Sequence, residues 1–99
     1  MNVDFKLERE LHFESLRGII IATLIIEGIA QLSEGYACQY TMPVIEDTPR
    51  KIYGEDAIHA LTLCFRHLRA RIDSASSFLN TEIWWVERGD HGGFDEPKC

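Results

Sequence analysis

The run Gly18-Ile19-Ile20-Ile21-Ala22-Thr23-Leu24-Ile25-Ile26 carries no charge, and the way it is read decides the fold. Nine residues fall far short of the about 20 that cross a bilayer as a helix. Isoleucine and threonine are stiff, β-branched side chains that fit a pleated sheet better than a helix, so the run reads as a strand bounded by Gly18 and Gly28. Both of its faces are apolar. Such a strand belongs in the middle of a sheet with both sides covered. A helix packed on the sheet supplies one cover. The second has no obvious source in the chain, which makes another molecule a candidate for it.

The flanking sequence builds a sheet around this strand. Upstream, Val3, Phe5, Leu7, Leu11 and Phe13 occupy odd positions, and Asp4, Lys6, Glu8, Glu10, His12 and Glu14 even ones. That period of two predicts a strand with one dry and one wet face, with Arg9 as the exception on the dry side. Glu14-Ser15 breaks the alternation, and Arg17-Gly18 can make the turn. Downstream, Gln31 to Gly35 reads as a polar turn. Tyr36, Cys38, Tyr40, Met42 and Val44 alternate as a third strand, which Pro43 ends or confines to an edge. Glu46 to Lys51 reads as a charged loop, and Lys51 to Tyr53 as a short fourth strand.

Helix signals begin at Gly54. Glu55 and Asp56 are expected in the first turn, where acids oppose the positive helix end. Ala57, Ile58, Leu61, Cys64, Phe65, Leu68 and Ile72 form an apolar stripe at helical spacing, suited to the dry face of the meander. Arg66, His67, Arg69 and Arg71 crowd the half where cations favour the dipole. Asp73 to Ser77 is expected to end the helix. Thr81 to Val86 reads as a last strand, in which Trp84 and Trp85 point to opposite faces. The expected fold is therefore α+β: an antiparallel β-meander of three to five strands packed on one long α-helix, with a C-terminal strand. The 99 residues suit a single domain, ordered over about residues 2–88, with a loose tail from Gly89.

Composition narrows the function. A net charge of −6 argues against nucleic acid or anionic lipid as the main partner, because both require a positive patch. Three cysteines, Cys38, Cys64 and Cys99, lie far apart with no Cys-x-x-Cys, so the reading is reduced thiols in a cytoplasmic protein. The opening residues are too acidic, and lack the apolar core, for a secretory leader. No phosphate-binding glycine motif is present. His59 and His67 share a helix but are offset by about 80° around its axis, which does not suit one metal. Asp90-His91 is half of an acid–base pair in a glycine-rich stretch with no third member. Ser74, Ser76 and Ser77 read as capping residues, and Cys38 and Cys64 as buried thiols. Catalytic residues, metal ligands and cofactors are accordingly expected to be absent, and the protein to be no enzyme.

Two surface features remain. One is the outer face of the isoleucine-rich strand together with Trp84 or Trp85. A loop, or the tail ending in Phe94, covers it in one reading, and it is a protein interface in the other. The second is acidity: Glu8, Glu10 and Glu14 on the wet face of the first strand, and Glu46, Asp47, Glu55 and Asp56 near the helix start. Solvation alone accounts for such acids, or they steer toward a basic protein. The partner-binding candidates are Glu8, Glu10, Glu14, Glu46, Asp47, Glu55, Asp56 and Trp84.

Three short segments carry a resemblance. Tyr53-Gly54-Glu55-Asp56-Ala57-Ile58-His59-Ala60-Leu61 resembles an aromatic-Gly-x-Asp-Ala helix start. Tyr36-Ala37-Cys38-Gln39-Tyr40 resembles an aromatic-x-Cys-x-Tyr strand. Trp84 or Trp85, followed by Asp90 to Phe94, resembles a Trp and Asp-x-Gly-Phe ending. Together they resemble a family of small uncharacterised bacterial domains over about residues 5 to 94. The resemblance implies an antiparallel sheet on one helix and no activity. The functional expectation is a non-enzymatic protein-binding domain, foremost a cytosolic immunity protein that neutralises a cognate, nuclease-type basic toxin. The alternative is a homodimeric structural or regulatory domain.

Overall fold

The computed structural model describes residues 3–30 and 35–94. Its strands are β1 (Val3–Ser15), β2 (Gly18–Ala30), β3 (Tyr36–Met42), β4 (Glu46–Gly54) and β5 (Ile83–Trp84). The helix α1 spans Ala57–Leu79, and a single 3₁₀ turn spans His91–Gly93. The strands form one antiparallel sheet in the order β4-β3-β2-β1-β5, so β2 lies between β1 and β3, paired with β1 along its length and with β3 only from Ile25 to Ala30. The expected α+β meander on one long helix is the fold observed. The turn expected at Gln31 to Gly35 lies, apart from Gly35, outside the described residues.

The longest pairing joins β1 to β2 around the turn at Leu16-Arg17. Gly18 leaves that turn at φ 109°, a left-handed value that side-chain-bearing residues rarely adopt. The Ser15 hydroxyl accepts from the Arg17 N–H (3.1 Å) and donates to the Gly18 carbonyl (3.0 Å), which ties the turn together. The register sets Phe13 opposite Ile20, Leu11 opposite Ala22 and Arg9 opposite Leu24. The odd positions of β1 and the even positions of β2 therefore share the side on which α1 packs. There Leu11, Ala22, Leu24, Tyr40 and Met42 meet Ala60, Cys64, Leu68 and Ile72 in one buried cluster.

Several expectations are corrected. Glu46 to Lys51 is strand, not loop. The Ile45 N–H bonds the Met42 carbonyl (2.9 Å), so the chain reverses tightly past Pro43 and Val44 and pairs at once. The pairing shifts between Tyr40 and Met42, and that irregularity on an edge strand admits Pro49. Its charges hide the strand in the sequence, because edge strands carry charge to repel unwanted pairing.

Asp56 is the cap of α1 rather than a first-turn acid: its carboxylate accepts from the His59 N–H (2.8 Å), and no acid lies in the first turn. The buried stripe is Ala60, Cys64, Leu68 and Ile72, while Ile58 faces solvent and Phe65 is partly exposed. The serine run does not stop the helix. Asn80 does, at φ 55°, with its N–H bonded back to the carbonyls of Ser76 and Ser77. The arginines of α1 thus lie mid-helix, and the last turn holds no base. The final strand is confined to Ile83–Trp84.

The segment from Gly89, read from its glycines as loose, is folded as far as Phe94. The Asp90 carboxylate accepts from the backbone N–H groups of Trp85, Val86, Glu87 and Gly92 at 2.8 to 3.1 Å. The carbonyl of Gly92 accepts from Arg9 (3.1 Å). The Arg9 guanidinium lies 3.8 Å from the centre of the Trp85 ring and 4.7 Å from that of Phe94. This contact accounts for the one charged residue on the dry face of β1: its cation is covered by two aromatic rings.

Candidate functional site

On the face of the sheet away from α1, β1 places Glu8, Glu10, His12 and Glu14 opposite Ile25, Thr23, Ile21 and Ile19 of β2. β3 adds Thr41 beside Ile25, and β5 adds Trp84 beside His12. A carboxylate row therefore runs alongside an isoleucine row. Ile19 and Ile21 are 57% and 55% exposed, against 0% for Ala22 and 1% for Leu24 on the helix side of the same strand. Among the described residues nothing covers them.

The acids on this face differ. Glu14 is paired with Arg88 (2.6 Å) and Glu8 with Lys6 (3.4 Å). Glu10 takes no ion pair among the described residues. At one end, Trp84 lies between His12, stacked at 5.7 Å, and the Arg88 guanidinium at 4.3 Å. Trp84 is consequently the more buried tryptophan, with Trp85 at 40% exposure and Trp84 at 9%. The Nδ1 of His12 is buried with no hydrogen-bond partner. Arg88 is 74 residues from Glu14, and nothing in the sequence pattern pairs them.

Of the partner-binding candidates, Glu8, Glu10, Glu14 and Trp84 share this face. Glu46, Asp47, Glu55 and Asp56 lie elsewhere, on β4 and before α1. Glu46 accepts from Arg50 and from Arg71 (3.0 Å) on the helix side. Burial alone would raise its carboxyl, but the two guanidiniums outweigh that and hold it below the usual value. Asp56 is occupied as the helix cap. Glu55 is exposed, and its N–H donates to the His59 ring (3.0 Å).

A second candidate is a cleft of about 300 Å³ lined by Asp73, Ser76, Ser77, Glu82 and His91. His91 sits at φ 52°, and its Nδ1 lies 3.0 Å from the Asp73 carboxylate. Burial would raise that carboxylate, but Arg69 and His91 lower it on balance. The pair could orient an imidazole for proton transfer. The Ser76 hydroxyl, however, donates to the Thr81 carbonyl, and no hydrogen bond joins His91 to Ser77 among the described residues. The nucleophile of a triad is not in place.

The Cys38 and Cys64 thiols are buried, and burial pushes Cys64 up to about 12, which leaves it unreactive. Cys99 lies outside the described residues. His67 binds the Tyr40 hydroxyl (3.2 Å) through Nδ1. Among the described residues no cluster of His, Cys, Asp and Glu is arranged to hold a metal ion, and no helix is long and apolar enough to cross a membrane.

A family model described as a domain of unknown function (DUF6968) matches residues 7–96. The chain belongs to this family. The DUF6968 match takes in the acids Glu8, Glu10 and Glu14, both faces of β2, and the clasp formed by Asp90 and Phe94. No curated protein and no solved structure matches the chain.

Proposed function

We propose that the chain is a non-enzymatic protein-binding domain whose recognition surface is the open face of the β1–β2 hairpin. The observation that carries this reading is the exposure of Ile19 and Ile21 on the outer face of β2, next to the β1 row that holds the unpaired carboxylate of Glu10. An exposed apolar strip with a polar rim is a common form of a protein interface. The complementary partner presents apolar side chains at its centre and Lys or Arg at its edge. The acids accelerate encounter, and burial of the isoleucines holds the complex.

The finer reading is an immunity protein of the cytoplasm that holds a basic, nuclease-type toxin. Its support is the net charge of −6 together with the carboxylate of Glu10, which has no ion pair among the described residues, on this face. The test is co-expression with the product of the adjacent gene, followed by pull-down with wild-type protein and with the Ile21→Asp and Glu10→Lys variants. Wild type should capture that product and protect the cells, and both variants should lose capture. Equal capture by all three, or the absence of any complex, contradicts the proposal.

A further inference from the structure

The sheet has a second unsatisfied feature, its edge rather than its face. β3 pairs with β2 only from Ile25 to Ala30. From Gly18 to Leu24, β2 is paired with β1 on one side, and among the described residues with nothing on the other. Alternate residues of an antiparallel strand direct their N–H and C=O groups to opposite sides, so this length presents a ladder of open backbone groups.

The other open edges are guarded. β4 carries Pro49, Arg50 and Lys51. β1 beyond its short pairing with β5 carries Lys6, Glu8, Arg9 and Glu10. β5 is only two residues long. Charge, proline and shortness are the ordinary defences against strand addition. Gly18-Ile19-Ile20-Ile21-Ala22-Thr23-Leu24 has none of them. It is both an edge and apolar.

We infer that this edge is a strand-pairing site for a second copy of the same chain, joined antiparallel about a twofold axis near Ile21. The segment is compatible with itself, since it brings no like charges together. The nearest acids, on β1, would stand three strand spacings from those of the second copy, about 14 Å. That exceeds the screening length of about 8 Å at physiological salt. The twofold sets Ile19 and Ile21 of both copies on one outer face. It also carries the hairpin tip, with the fully exposed Leu16, to the Met42–Ile45 turn of the second copy, where Val44 is exposed. The contact is confined to one short strand from each copy, so the association is expected to come apart on dilution. It is independent of the partner proposed for the face, because it uses the edge and leaves the acidic row open.

The experiment is sedimentation of the full chain carrying Cys99→Ser over a concentration series, with amide hydrogen exchange on the same samples. A monomer–dimer equilibrium is expected, with alternate amides between Gly18 and Leu24 slowing as concentration rises. Ile21→Lys should weaken the dimer at least about tenfold. Should that variant fail to fold, Thr23→Lys places the same charge on the same edge with less loss of packing. A monomer at every concentration overturns the inference. So does a dimer whose amides between Gly18 and Leu24 exchange as they do in the monomer, since that dimer would pack face to face.

Discussion

β2 shows the same chemistry to both sides of the sheet, and the two sides meet different fates. Toward α1, Ala22, Leu24 and Ile26 are closed over by Cys64, Leu68 and the strands beside them. Away from α1, Ile19 and Ile21 stay more than half exposed. Side-chain chemistry therefore decides that a strand can be dry on both faces, while topology decides which face is covered. One helix between β4 and β5 covers one side only. Full burial of a large aliphatic side chain contributes about 1.5–3 kcal/mol. Part of that gain is unrealised on the outer face and is open to a partner.

The sharpest test of the contrast compares truncations on the two sides. Leu68→Ala removes a fully buried side chain and should cost about 2–5 kcal/mol in denaturant unfolding. Ile21→Ala should cost less than about 1 kcal/mol, as an exposed position does. Equal costs would mean that the outer face is covered after all.

Next in size is Asp90→Ala, which leaves the N–H groups of Trp85, Val86, Glu87 and Gly92 without their acceptor and should cost about 1–3 kcal/mol. The same group sets an acid limit. Burial alone would raise the Asp90 carboxyl, but those N–H groups hold it below its ordinary 3.8. A depressed carboxyl binds its proton more weakly folded than unfolded. Its contribution is thus complete above about pH 4 and is lost as pH falls through the folded value. Urea midpoints from pH 6 to pH 2 should fall less steeply for Asp90→Asn than for wild type.

A smaller effect is expected at Arg9. Replacement by Ala uncovers Trp85 and Phe94 and should cost about 1 kcal/mol, with a change in tryptophan emission. Smallest is Ile19→Lys, which should leave the unfolding midpoint within about 0.5 kcal/mol of wild type while abolishing capture of a partner.

The legible part of the fold was what periodicity encodes. The alternation of β1, the strand character of β2, the stop at Pro43 and the long helix all follow from side-chain spacing. The illegible parts depend on contacts between distant residues. β4 looks like a loop because its charges and Pro49 serve an edge. The helix runs past its serines because Asn80, not composition, supplies the left-handed cap. The segment after Gly89 looks loose until Asp90 is seen gathering backbone N–H groups and Phe94 is seen against Phe65, at 5.5 Å. For the site, Glu8, Glu10 and Glu14 were legible as one face of a strand. The separation of Glu46, Glu55 and Asp56 from them was not, because sequence proximity to a helix start says nothing about which side of the sheet a residue serves.

Isoleucine methyl spectra of the dilute monomer with a soluble paramagnetic probe read both faces of β2 at once. Strong broadening of the Ile19 and Ile21 methyls is expected, with little effect on Ile26, Ile72 and Ile83, which are buried. Protection of Ile19 and Ile21 equal to that of Ile72 would show the outer face closed by the chain itself, leaving no open apolar strip for a partner.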